Sequence, residues 1–274
     1  IRLSFTDLIK FGSIAIPLVI FCILGVLIII KFLIRKVPIS SKMSYLIAIG
    51  TSVCGATAIV ATAPVINAKK TEIAYAIANI TLFGVIAMVV YPYFAEWYFD
   101  NNALEVGLFL GTSIHETSQV AAAGLIYDQQ FNNPETLDVA TVTKLIRNTF
   151  LVILIPLFAF LYNRGEFKGQ KYSILNIFPY FVIGFIGMII VRNLGDQFFS
   201  VETDNYYAWS KFIEYLKILA TVFLTMAMAA VGISINLTEL KSMGYKPFVV
   251  GLIAAVTVGI ISLIYLETII HFFI

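Results

Sequence analysis

Gly111-Thr-Ser-Ile-His-Glu-Thr-Ser-Gln-Val-Ala-Ala-Ala-Gly124 sets a histidine and a carboxylate, His115 and Glu116, inside a segment otherwise apolar enough to enter a bilayer. An earlier stretch, Gly50-Thr-Ser-Val-Cys-Gly-Ala-Thr-Ala-Ile-Val-Ala-Thr62, aligns with it without gaps. Gly50 pairs with Gly111, Thr51 with Thr112, Ser52 with Ser113, Val53 with Ile114, Val60 with Ala121 and Ala61 with Ala122. The pairing reads as an internal repeat.

The rest of the chain sets these stretches in a membrane. Of 274 residues, 60% are hydrophobic and 12% charged, and the mean hydropathy is +0.93. A soluble domain carries about 25% charged residues, so composition alone predicts a membrane protein. The net charge of +2 comes with no basic run or face clear of the apolar segments, which argues against a nucleic-acid partner and for small solutes. Membrane lipid is a second expected partner, a homo-oligomer is compatible, and no motif calls for a cofactor. Cys22 and Cys54 both sit in apolar segments and read as small buried residues. The chain opens on Ile1 with no cleavable signal peptide, so an N-terminal part is expected to precede it.

Eight segments of about bilayer-spanning length can be drawn: 11–30, 43–68, 73–94, 103–127, 139–162, 174–191, 212–233 and 247–273. Long apolar runs, in place of short alternating ones, make them helices and not barrel strands. The expected fold is an all-α polytopic bundle forming a single transporter domain over residues 1–274.

Loop charge gives the orientation, because short cytoplasmic loops concentrate Lys and Arg. Lys31, Arg35, Lys36 and Lys42 place the first loop inside, and Lys69 and Lys70 place the next inside as well. The loops with Glu96, Asp100 and Glu105 and with Asp128, Glu135 and Asp138 have no basic residue and read as outside. Taken literally, 43–68 starts and finishes inside while 103–127 starts and finishes outside. Both are then broken or re-entrant segments, entering from opposite faces and crossing near the midplane. Their Gly, Ala, Ser and Thr content permits irregular backbone and close helix contacts at that depth. The alternative is that both span as plain helices.

A second similarity joins Ile1–Leu8 to Ile233–Leu240, with Ser4 or Asn236 three residues before Asp7 or Glu239 in a capping-box arrangement. By loop charge the copies lie on opposite faces, the inverted relation of many secondary transporters. The two similarities have different offsets, so one duplication does not produce both.

Polar residues at membrane depth are the candidates for function. His115 and Glu116 are read as a coupling pair for a proton or ion, against the plainer reading of a packing histidine. His-Glu-Thr-Ser-Gln also resembles the His-Glu-x-x-His of zinc peptidases, but Gln119 stands where the second His is needed and the other histidine, His271, is remote. A metal site and a catalytic role are therefore not expected. Gly50, Thr51, Ser52 and Thr57 in one copy, with Gly111, Thr112, Ser113, His115, Thr117, Ser118 and Gln119 in the other, offer donors beside glycines where free helix amides would suit an anion. Tight helix packing is the structural alternative for each of them. Lys144 and Arg147 share a helix face, with Arg147 about 12 Å below the outer surface at 1.5 Å per residue. They either snorkel or line an anion path. Asn79, Thr81, Gly84, Pro92 and Pro64 mark kinks near the site, and Trp97 and Trp209 read as interfacial belt residues.

Four motifs in order, Gly50–Ile66, Ser113–Gly124, Lys144–Arg147 and Ala227–Gly232, resemble the YeiH family of bacterial inner-membrane proteins, described as sulfate exporters. The resemblance covers essentially the whole chain. It implies a secondary transporter of a small anion such as sulfate or a related sulfur oxyanion or sulfonate, with further helices before Ile1. The acid after the histidine is more often Asp in that family, whereas Glu116 carries one methylene more. A passive anion channel is the alternative of the same class, and an intramembrane hydrolase that of another.

Overall fold

The computed structural model describes residues 5–163, 187, 190–192, 194–199, 206–234 and 244–269. Among them is no strand, and the helices that matter below are α1 Phe5–Lys36, α2 Ser41–Ser52, α3 Ala56–Thr62, α4 Lys70–Phe99, α5 Ala103–Ser113, α6 Thr117–Phe131, α7 Glu135–Thr149, α8 Leu151–Asn163, α9 Tyr206–Ser234 and α10 Lys246–Ile269. They divide into two compact units, residues 1–177 with 237–274, and residues 178–236.

Local chemistry sets the helix boundaries. Pro38 forces Val37 out of the helical region and stops α1. Ser40 then caps α2, its hydroxyl accepting from the Met43 amide at 3.1 Å. Asn102 does the same for α5, accepting from Leu104 and Glu105 amides at 3.1 and 3.3 Å. Asp100 and Asn132, at φ 48° and 56°, end α4 and α6 in the left-handed conformation that Asn and Asp tolerate best. Between α7 and α8 the Phe150 amide bonds the Arg147 carbonyl at 3.2 Å, a tighter step that interrupts an otherwise continuous rod.

In the larger unit, α4 is the reference rod, 30 residues and about 45 Å long. At its Lys70 end the two limbs of residues 41–67 come together. Lys42 Nζ donates to the Asn67 carbonyl at 2.6 Å, the Ser40 hydroxyl donates to Glu72, and Glu72 also accepts from the Lys69 amide at 2.9 Å. At its Phe99 end the limbs of residues 103–131 do likewise. Tyr127 donates to Glu96 at 2.5 Å, and Asn133 Nδ2 reaches Asn101 Oδ1 at 2.9 Å. Segments α2–α3 and α5–α6 are thus two hairpins hung from opposite ends of one helix. Their tips meet halfway along it, beside Thr81 and Gly84.

Helix α7 runs alongside both limbs of the second hairpin. Gly107 and Gly111 of α5 lie against Val139–Thr143, and Gly124 of α6 lies against Leu137. A Cβ on Gly111 would come within 2.6 Å of the Ala140 carbonyl oxygen, so the glycines are what lets the backbones approach. Helix α10 closes another side. Asn79 donates to the Pro247 carbonyl at 2.8 Å, Phe83 packs on Phe248, and Ser262 bonds Thr112.

Among the described residues, four stretches are long and apolar enough to cross a membrane: Gly12–Ile34, Lys70–Phe99, Glu135–Phe158 and Lys246–Thr268. Their outer faces are apolar: Val85, Ile86, Val89 and Val90 on α4 and Leu252, Val256, Ile260 and Ile264 on α10 are all exposed, a surface suited to lipid. The expected segments 43–68 and 103–127 are each two short helices. Segment 212–233 lies within α9, while most of 174–191, the cap residues Ser4 and Asn236, and His271 lie outside the described residues. In the smaller unit Asp196 receives both Arg192, at 2.7 Å, and the Trp209 indole, at 2.8 Å. Trp97 is largely exposed at the end of α4.

Candidate functional site

The two copies of the Gly-Thr-Ser motif break at aligned residues. Helix α2 stops at Ser52 and α5 at Ser113; the C-caps are Val53 and Ile114. The second limbs start at Ala56 and Thr117, behind the N-caps Gly55 and Glu116. Gly55 stands at φ 66°, ψ −125°, a conformation for which glycine is suited, and its amide closes a wide turn on the Gly50 carbonyl at 3.0 Å.

Each break leaves carbonyls at the end of its first limb without a helical partner. Two cations on α7 take them. Lys144 Nζ donates to Val53 at 2.8 Å, Ile114 at 2.9 Å and His115 at 2.5 Å, which uses all three ammonium protons. Arg147 donates through Nε to Ser52 at 2.8 Å, through Nη1 to Thr112 at 2.5 Å and Ile114 at 3.3 Å, and through Nη2 to Thr51. Both side chains are 0% exposed. Of the two readings the sequence offers, snorkelling is excluded by this burial; the pair lies within the protein and fastens both tips to α7. Among the described residues, no carboxylate lies within ion-pair distance of either cation. Their compensation comes from carbonyls at the negative ends of α2 and α5.

Glu116 spans the gap on the opposite side. It is the N-cap residue of α6, and its amide donates to Gln119 Oε1 at 3.2 Å. Glu116 Oε1 also accepts from the Ala56 amide of the other hairpin at 3.4 Å and from the Thr81 hydroxyl at 3.3 Å. Gln119 Nε2 returns to the Thr81 carbonyl at 3.3 Å. A Cβ at Gly55 would lie 2.6 Å from Glu116 Cγ. The two aligned N-cap positions therefore face one another, and only one of them can carry a side chain of that length.

Around this junction several buried polar atoms have no hydrogen-bond partner among the described residues: Thr51 Oγ1, Ser52 Oγ, Ser113 Oγ, His115 Nδ1, Thr143 Oγ1 and Asn148 Oδ1. An unmet buried polar group costs about 1–3 kcal/mol, so their concentration at the two breaks singles out the junction as the candidate site. His115 is 1% exposed.

Not every residue singled out in the sequence joins this cluster. Gly50 is a packing position against Ile80 and Ile59, and Gly111 against Thr143. Thr112 has its hydroxyl satisfied by the Leu108 carbonyl and by Ser262, both at 2.7 Å. Thr117 accepts from Asn148 Nδ2 at 3.1 Å. Thr57 and Ser118, equivalent positions in the two copies, are exposed and lie outside the buried cluster. Conversely, Thr81, read only as a kink residue, bonds Glu116. Asn148 was passed over although an amide in the middle of an apolar span, next to Arg147, is itself a signal.

A family described as "Conserved hypothetical protein 698" matches residues 1–251. A UPF0324 membrane protein of Fusobacterium nucleatum is 35% identical over 95% of this chain and 76% of its own length. One from Streptococcus agalactiae is 33% identical over 94% and 74%, and one from Streptococcus pneumoniae 31% identical over 99% and 77%. No solved structure matches the chain significantly. With its apolar helices and these relatives, the chain is a multi-pass membrane protein and belongs to the UPF0324 family, the YeiH-type family that its motifs resemble.

Proposed function

We infer that the protein is a secondary transporter of a small anion, a sulfur oxyanion or sulfonate, working by alternating access in the bacterial inner membrane. The observation that carries this reading is the junction of two opposed hairpins. Two tips hung from opposite ends of a membrane-length helix meet at its midpoint, and polar atoms of Ser52, Ser113 and His115 at the two breaks are buried without partners among the described residues. In a bilayer such hairpins are re-entrant, and irregular backbone at that depth is tolerated where it lines a cavity.

Charge supports an anionic solute. At each break a C-terminal and an N-terminal helix end meet, so the four dipole ends largely cancel. What remains is Lys144 and Arg147 against Glu116, a formal excess of one positive charge in a buried place. The cations act through the backbone they hold, and the hydroxyls and His115 are the groups left to contact a solute.

Flux of labelled sulfate, sulfite and a simple sulfonate into proteoliposomes, with and without a pH gradient, tests the reading. Saturable uptake of at least one of them is expected. Conductance that rises linearly with concentration and ignores the gradient replaces the transporter with a channel, and no movement of any of the three removes the anion.

A further inference from the structure

We propose that Glu116 is a tethered stand-in for the transported anion, so that a divalent oxyanion binds at the junction only when Glu116 carries a proton, and one proton accompanies each anion. This rests on the anion-transport reading above. Glu116 Oε1 already collects donors that an anion would seek there: the Ala56 amide of the facing hairpin at 3.4 Å and the Thr81 hydroxyl of α4 at 3.3 Å. A second observation concerns the same two breaks. Ser52 Oγ, Ser113 Oγ and His115 Nδ1 are buried, at 0%, 0% and 1% exposure, and without partners among the described residues.

The groups bearing on Glu116 are few. Lys144 and Arg147 face the gap from α7, His115 precedes Glu116 on its own segment, Cys54 lies in the facing break, and α4 presents the uncharged Thr81. Ionised Glu116 leaves the two cations one charge in excess. Protonated Glu116 leaves two, which a dianion balances, while ionised Glu116 together with a dianion leaves an uncompensated buried negative charge. The step balances simply: the carboxylate takes one proton from water on the loading side, the dianion takes its place among the donors, and both leave on the other side.

The test is equilibrium binding of labelled sulfate to the detergent-purified full chain between about pH 5 and about pH 8, where sulfate itself stays a dianion, with Glu116→Gln and Thr81→Val alongside. Wild type is expected to lose affinity about tenfold per pH unit above the Glu116 titration, since binding present with the proton on is lost as pH rises. Glu116→Gln should bind with an affinity independent of pH, and Glu116→Asp should restore the dependence. Thr81→Val removes a donor to the ionised form and should move the midpoint of the binding curve upward. Flat wild-type binding, or the same slope in Glu116→Gln, overturns the stand-in while leaving anion transport intact. Absence of binding in wild type, together with absence of flux, overturns both.

Discussion

A lysine whose three protons all end on main-chain carbonyls is a structural bolt. Lys144→Met strips the Val53 and His115 carbonyls of their bonds to the ammonium, whereas Ile114 keeps Arg147. The recovered desolvation of the ammonium offsets part of the loss, so a destabilisation of about 2–4 kcal/mol is expected, read as a lowered thermal midpoint in detergent. Gly55→Ala acts from the other side of the gap. It forces a Cβ into the left-handed region and against Glu116 Cγ, costing about 1–3 kcal/mol. Because its clash is with Glu116, the double variant Gly55→Ala with Glu116→Ala should recover part of the lost midpoint; purely additive losses would place the strain in the backbone alone. Sequence showed that residues 144 and 147 share a face and a depth but not what they touch. Their partners are carbonyls, which every residue has, so no pattern of side chains can announce them.

Among the elements, α5 and α7 depend on closeness. Gly111→Val drives a branched side chain into the Ala140 carbonyl oxygen and Thr143, and a loss of about 1–3 kcal/mol is expected. Gly12→Ala is the contrast: the nearest atom to its new Cβ is 3.9 Å away, so helix propensity dominates and stability should hold or rise by up to about 1 kcal/mol. Thermal midpoints of the two variants decide whether small residues here serve packing. The breaks themselves were legible, because Gly-Thr-Ser recurs at both and loop charge put their ends on the same face. What the repeat could not reveal is divergence between copies. Thr51 and Thr112 align, yet one hydroxyl is unpartnered and the other is bonded to Ser262 across 150 residues. Such a partner belongs to the tertiary arrangement and leaves no local trace.

For the molecule as a whole, the hydrogen bonds place the ends of one hairpin at Lys70 and of the other at Phe99, a bilayer's thickness apart. In a background with Cys22 and Cys54 replaced by alanine, Asn67→Cys and Asn133→Cys should react with a membrane-impermeant thiol reagent from opposite sides. Following loop charge, Asn133→Cys should label in intact spheroplasts and Asn67→Cys only after permeabilisation. Labelling of both from one side would contradict the opposed arrangement. The global fold class could be read from composition because the bilayer demands long apolar helices and little else.

Arg147 and Lys144 have a mechanical corollary. Between them they hold carbonyls of both tips from a single helix, so parting one tip from the other would strip several buried bonds at once. Opening the gap by peeling the tips apart is therefore the expensive motion. The less costly one moves both tips and α7 together, at the cost of the side-chain bonds to Thr81 and Ser262.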